Sequence, residues 1–192
     1  MPLCVPSAML EADNRPDRDQ LARAIADLSV LRGSFTLRSG RTSNYYLDKY
    51  RFSTRAEVLG PLALLFADRL RELGPMPDRI AGAELGGIPL VTATGLATGL
   101  PSIFIRNAKK DYGTAKQLEG TIEPGDRVVF LEDVATTGGQ ALEAVEVLRE
   151  EGATVEAIIA VIDRQEGARA NVEAAGVRFE SLFTAADLGV GG

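Results

Sequence analysis

The chain contains no histidine and no tryptophan. Without an imidazole there is no Ser-His or Cys-His nucleophile, no His general base and no His-ligated metal. A single cysteine, Cys4, excludes an intramolecular disulfide, argues against a zinc site and favours a reducing cytoplasm. Apolar runs fall short of the ~18 residues that a membrane span needs. The N-terminus lacks the basic-then-apolar order of a secretory signal. Basic blocks are missing too, and with a formal net charge of −6 neither a nucleic-acid nor a membrane partner is expected. The chemistry left belongs to carboxylates, Lys, Arg, Tyr and the backbone, with Mg²⁺ held by oxygens as the available metal.

What is present is an ordinary globular composition, 45% hydrophobic and 25% charged over 192 residues, enough for one domain with a real core. Residues 1–16 carry three prolines and no period and read as a flexible arm, leaving 17–192 as a single domain. From Asp17 to Leu31 the positions Leu21, Ala24, Ile25, Leu28 and Leu31 form one helical stripe. Two strand-like pieces follow around a Ser39-Gly40 turn signal. The spacing Thr54-x-x-Glu57 predicts a capping box opening a helix, with a kink at Pro61. Beyond it, short continuous apolar strands alternate with helices: "RIAGAEL", "PSIFIR", "RVVFLED", "TVEAIIAVIDR" and "VRFESLFT". That alternation predicts a doubly wound α/β fold, a mostly parallel sheet with helices on both faces. Ligands in such sheets bind beyond the carboxyl ends of the strands. The polar run from Asn107 to Gly125 is long for a connector and reads as a functional lid.

The most informative stretch is "RVVFLEDVATTGGQALEAVEVL". An apolar strand ends in two acids, Glu132 and Asp133. Thr136-Thr137-Gly138-Gly139 then turns the chain into a helix. A glycine-rich turn at a helix N-terminus offers free N–H groups and partial positive charge to a phosphate. It is not a P-loop, because GxxxxGK[ST] is absent. A sugar attached to that phosphate would lie over the two acids. Carboxylates accept hydrogen bonds from its hydroxyls, can steady a Mg²⁺ and can stabilise positive charge at the anomeric carbon. The bland alternative is that the two acids merely cap the next helix.

"VVFLEDVATTGG" resembles the phosphoribosyl-diphosphate motif of the type I phosphoribosyltransferases. "GSFTLRSGRTSNYYLD", "KKDYGTAKQLEG" and "VIDRQEG" together resemble orotate phosphoribosyltransferase, over about Arg32 to the C-terminus. The resemblance implies the type I fold with a small hood built from about 31–50 and the C-terminal segment. It also implies transfer of the 5-phosphoribosyl group from phosphoribosyl diphosphate to orotate, as in pyrimidine biosynthesis. Mg²⁺ would be held mainly by the substrate, near Glu132 and Asp133. A homodimer would share its active sites.

Carried over residue by residue, the resemblance puts Glu132 and Asp133 against the ribose and gives them a catalytic role with Lys110. Val134, Ala135, Thr136, Thr137, Gly138, Gly139 and Gln140 would wrap the 5′-phosphate. Arg106, Lys109, Lys110 and Tyr112 belong to a mobile loop that meets the pyrophosphate, with Lys110 stabilising the leaving group. Glu84, Leu85, Gly86 and Gly87 would bind pyrophosphate through backbone groups. Arg38, Tyr45, Tyr46, Thr136 and Arg164 would surround orotate, Arg164 as its guanidinium contact. The pattern is departed from at four places. Asn107 stands where a second basic residue is common, Tyr112 where His is common, and Arg38 and Gly86 where Lys is common. Alternatives are another type I transferase, for a purine or uracil, and a non-catalytic nucleotide sensor. The sensor would need a DNA-binding element, and no helix-turn-helix pattern is evident.

Overall fold

The computed structural model describes residues 17–36, 42–107 and 117–190. Helix α1 (Arg18–Ser29) starts where the Asp17 carboxylate accepts a hydrogen bond from the Asp19 N–H at 3.4 Å. Its inner face buries Leu21, Ala22 and Ile25. It ends at Ser29, whose hydroxyl donates back to the Ile25 carbonyl. The chain then enters β1 (Val30–Thr36) directly, paired antiparallel with β2 (Thr42–Leu47). Leu31 therefore lies in β1 opposite Tyr46 rather than on the helical stripe expected of it.

A short α2 (Tyr50–Ser53) precedes α3 (Ala56–Glu72). The expected capping box does not form. Thr54 donates its hydroxyl backwards to the Tyr50 carbonyl at 2.6 Å, and Arg55 occupies the N-cap without a side-chain bond. The end of α2 thus takes the group that would have opened α3, which itself runs on through Pro61.

The main sheet follows from β3 (Arg79–Ala83), α4 (Gly87–Thr98), β4 (Ser102–Ile105), β5 (Leu118–Glu119), β6 (Arg127–Ala135), α5 (Gly139–Glu150), β7 (Thr154–Asp163), α6 (Ala168–Ala174) and β8 (Arg178–Thr184). Among the described residues it has six strands in the order β5-β4-β3-β6-β7-β8. All neighbours are parallel except β5, which closes one edge antiparallel to β4. Buried on both faces, β6 alternates its side chains between two cores. Val129 and Leu131 join Leu62, Phe66 and Ile159 on the α1/α3/α4 side. Val128 and Phe130 join Val145, Leu148 and Phe179 on the α5/α6 side. Each such fully buried large side chain contributes roughly 1.5–3 kcal/mol.

The strand order positions the site. From β3 the chain crosses to β4 on one side and returns, by way of β5, to β6 on the other. The loops leaving β3 and β6 diverge to opposite faces and open a crevice between their carboxyl ends. Residues 84–87 follow β3 and 136–139 follow β6, so both motifs meet at that crevice.

Candidate active site

At the end of β6, the two acids are adjacent and nearly withdrawn from solvent: Glu132 is 7% exposed and Asp133 1%. A buried carboxylate needs donors or a counter-ion. Asp133 Oδ1 accepts from the Val134 N–H at 2.6 Å and from Lys49 Nζ at 3.1 Å. Its Oδ2 lies 2.8 Å from the same ammonium but off the hydrogen-bond direction, and no described group donates to it. Glu132 accepts from the Asp133 N–H at 3.1 Å. Burial pushes the Glu132 carboxyl up to about 8, and the Asp133 charge and hydrogen bond add to this. The Asp133 backbone N–H and the Lys49 charge oppose it. Near neutral pH Glu132 thus carries a proton. Lys49 feels burial working against its charge, yet its pKa is raised, because attraction to Asp133, the hydrogen bond with it, and Glu132 outweigh that.

The turn after β6 is shaped by Gly138, the N-cap of α5, at φ 78°. A side chain there would be strained and would meet Val172 Cγ2 at 3.0 Å. Asn171 of α6 donates to the Thr137 carbonyl at 2.9 Å and fixes the turn from behind. The first N–H groups of α5 have no intrahelical acceptor. Val134 to Ala141 form one wall of a cavity of about 580 Å³, whose other walls include Tyr46, Lys49, Glu132 and Arg164. The cavity therefore has an anion-binding end and an acidic floor.

Across the crevice, the Glu84–Leu85 peptide is cis and Gly86 opens α4. A Cβ on Gly86 would lie 1.5 Å from Asp133 Oδ2, so the carboxylate fills the space of any side chain at 86. Glu84 accepts from the Asn107 N–H at 2.7 Å, and Gln140 donates to the Asn107 side chain at 3.2 Å. Asn107 thus ties the β3–α4 loop to the start of α5. Arg106 and Gln117 hold each other through backbone and side-chain bonds, the latter at 2.8 Å. Arg106 lies 3.9 Å from Glu119, and its buried Nε has no described partner.

Arg164 stands one residue beyond β7, beside the turn. Its N–H donates to the Ala135 carbonyl at 2.9 Å, and Asp163 accepts from the Gln165 N–H at 2.7 Å to close the bend. The guanidinium is 9% exposed, lies 4.9 Å over the Tyr45 ring and donates to the Tyr45 hydroxyl at 3.2 Å. It also pairs with Glu166 at 2.9 Å. Its Nε is buried without a described partner. The two tyrosines divide. Tyr45 is buried beneath Arg164, whereas Tyr46 is half exposed on the cavity and packs against Phe35 at 5.8 Å. Arg38, Lys109, Lys110 and Tyr112 lie outside the described residues. Sequence reasoning missed Lys49, which sits 84 positions from its partner Asp133 and belongs to no motif. A second hollow of about 390 Å³ is lined by Arg69, Arg169 and Arg178, whose charges are matched by Glu173 and Glu180.

A mostly parallel sheet with an acid pair near the end of its central strand and a glycine turn just beyond it is the type I phosphoribosyltransferase arrangement. A phosphoribosyltransferase from Corynebacterium diphtheriae superposes with a TM-score of 0.80 at 27% identity, over 90% of this chain and 98% of that one. The chain belongs to the orotate phosphoribosyltransferase family. Over 170 residues it is 46% identical to the orotate phosphoribosyltransferase of Natronomonas pharaonis, covering 88% of this chain and 95% of that protein. The Mycobacterium tuberculosis orotate phosphoribosyltransferase, solved in complex with 5-phospho-α-D-ribosyl 1-diphosphate, matches with a TM-score of 0.78 at 33% identity, over 91% of this chain and all of that one. No family model matches the chain. No helix among the described residues is long and apolar enough to cross a membrane.

Proposed function

We propose that the protein joins orotate to the anomeric carbon of phosphoribosyl diphosphate, yielding orotidine 5′-phosphate and pyrophosphate. A ring nitrogen of orotate forms the new bond to the anomeric carbon as the bond to the diphosphate oxygen breaks, and the proton that nitrogen gives up passes to the departing pyrophosphate or to solvent. The observation that carries the choice of base is Arg164. Arg164 lines the cavity together with the Thr136–Gly139 turn and Glu132, and its buried Nε has no partner among the described residues. A guanidinium suits a carboxylate-bearing pyrimidine, and uracil lacks that carboxylate. The 5′-phosphate would take the N–H groups of the turn, and the ribose hydroxyls would lie against Glu132 and Asp133. Tyr45 would hold the Arg164 plane, leaving Tyr46 as the aromatic that faces the base.

The same reading extends to the metal, the hood and the dimer. A divalent cation held mainly by the diphosphate fits the residues present. Asp133 Oδ2 accepts no hydrogen bond from the described residues, although the Lys49 ammonium lies 2.8 Å away, and no cluster of three acidic or other metal-ligating side chains stands among the described residues. Mg²⁺ carried on the substrate would neutralise the leaving diphosphate. The β1–β2 hairpin, with the segment after β8, would act as a hood over a single domain spanning 17–192. Arg32 already donates to the Gly189 carbonyl at 3.3 Å between the two parts. Lys109, Lys110 and Tyr112 would belong to a loop completing the pyrophosphate site of a partner subunit, and the scarcity of cysteine suits a cytoplasmic setting.

Purified protein with orotate, phosphoribosyl diphosphate and Mg²⁺ should consume orotate, followed by its ultraviolet absorbance. Turnover with uracil or adenine instead of orotate would overturn the assignment of the base.

A further inference from the structure

We propose that Lys49 is a positioning residue of the phosphoribosyl site, holding the Asp133 carboxylate against Gly86 and screening its charge from an anionic substrate. The inference deepens the function proposed above and rests on it.

Asp133 is the most deeply buried acid of the site, at 1% exposure, and its environment confines it on every side that the structure describes. The Val134 N–H fixes Oδ1 at 2.6 Å. Gly86 backs Oδ2 so closely that a Cβ would be 1.5 Å away. Among the described residues Lys49 is the one cation in contact with the carboxylate, at 2.8 and 3.1 Å from its two oxygens. Lys49 is the N-cap of α2, two residues beyond β2, and lines the cavity with its side chain 31% exposed. An ammonium has three donors in a flexible geometry. Only one contact here, to Oδ1, has hydrogen-bond geometry, so the other donors of the ammonium are not used by Asp133.

The charge balance gives the residue its purpose. A diphosphate substrate brings several negative charges to a cavity lined by Glu132 and Lys49, next to the buried Asp133. The Lys49 ammonium, 2.8 Å from Asp133, offsets that charge, so the substrate meets less negative charge than the two carboxyls alone would present. Removing Lys49 would leave the Asp133 charge buried without its counter-ion, which is the costly outcome for such a pair. The contact ties the start of α2, two residues beyond β2, to the end of β6.

The test is a double-mutant cycle between Lys49→Met and Asp133→Asn, read as kcat and KM for each substrate. Lys49→Met should lower kcat/KM for phosphoribosyl diphosphate about 10- to 100-fold, the size of a charge-assisted contact, leaving KM for orotate unchanged. In the Asp133→Asn background the same substitution should add little, and Lys49→Arg should restore part of the loss. Unchanged kinetics in Lys49→Met would overturn the inference, and so would an equal loss in both backgrounds. If Lys49→Met does not fold by circular dichroism, Lys49→Gln carries the cycle. Wild-type protein that leaves orotate untouched would sink the function proposed above. Calorimetry of phosphoribosyl diphosphate binding across the cycle would still decide the role of Lys49.

Discussion

Replacing Glu132 by Gln removes an acid that the fold forces to stay protonated. The carboxyl is raised from 4.5 to about 8, by burial first and by the Asp133 charge second. The native state therefore holds a proton that the unfolded chain releases between those two values. Stability from this group is fully present below pH 4.5, is lost as pH rises through the window, and levels off above about pH 8. At about 1.4 kcal/mol per pH unit, the span from 4.5 to about 8 amounts to roughly 5 kcal/mol. Glutamine copies the neutral form and does not titrate. Relative to wild type, Glu132→Gln should thus gain stability steadily as pH climbs, reaching about 5 kcal/mol by pH 8–9. The window is unusually clean, because the chain has no histidine to titrate within it. Asp126, held low by its hydrogen bond from Arg79, acts only at acid pH. Urea unfolding of both proteins from pH 5 to 9 measures the difference directly. Parallel pH profiles for the two proteins would refute the reasoning and remove the proton from Glu132.

Gly86→Ala pushes a methyl group into the Asp133 carboxylate and should cost about 1–3 kcal/mol in urea unfolding, with a raised KM for phosphoribosyl diphosphate; a neutral result means that the carboxylate moves freely. Arg164→Ala should weaken orotate binding in calorimetry by about 10-fold or more while phosphoribosyl diphosphate binding changes little; equal losses would place Arg164 outside the base site. Lys110→Ala should lower turnover strongly with an unchanged unfolding midpoint, and an unchanged rate would take Lys110 out of leaving-group stabilisation.

The strands and the cradle were legible because their signals are local. A continuous apolar run buried on both faces reads as a central parallel strand, and β6 is one from Val128 to Leu131. The acid pair and the Gly-Gly turn are neighbours in sequence, so strand, turn and helix could be placed together. Signals failed where two local preferences competed. Thr54 could cap α3 or close α2, and the nearer Tyr50 carbonyl won. Leu31 fits both a helical stripe and a strand alternation, and pairing with β2 decided it. Lys49 was illegible because its meaning lies in a contact spanning 84 positions, set by how the hairpin packs on the sheet. Tyr45 and Tyr46 could not be ranked from sequence, since a strand sends adjacent side chains to opposite faces and only packing says which face is the cavity.

The most direct measurement is a crystal structure with phosphoribosyl diphosphate bound. The 5′-phosphate should rest on the N–H groups of residues 136–140, with the ribose hydroxyls on Glu132 and Asp133. A phosphate seated elsewhere, or a ribose turned away from both acids, would contradict the account.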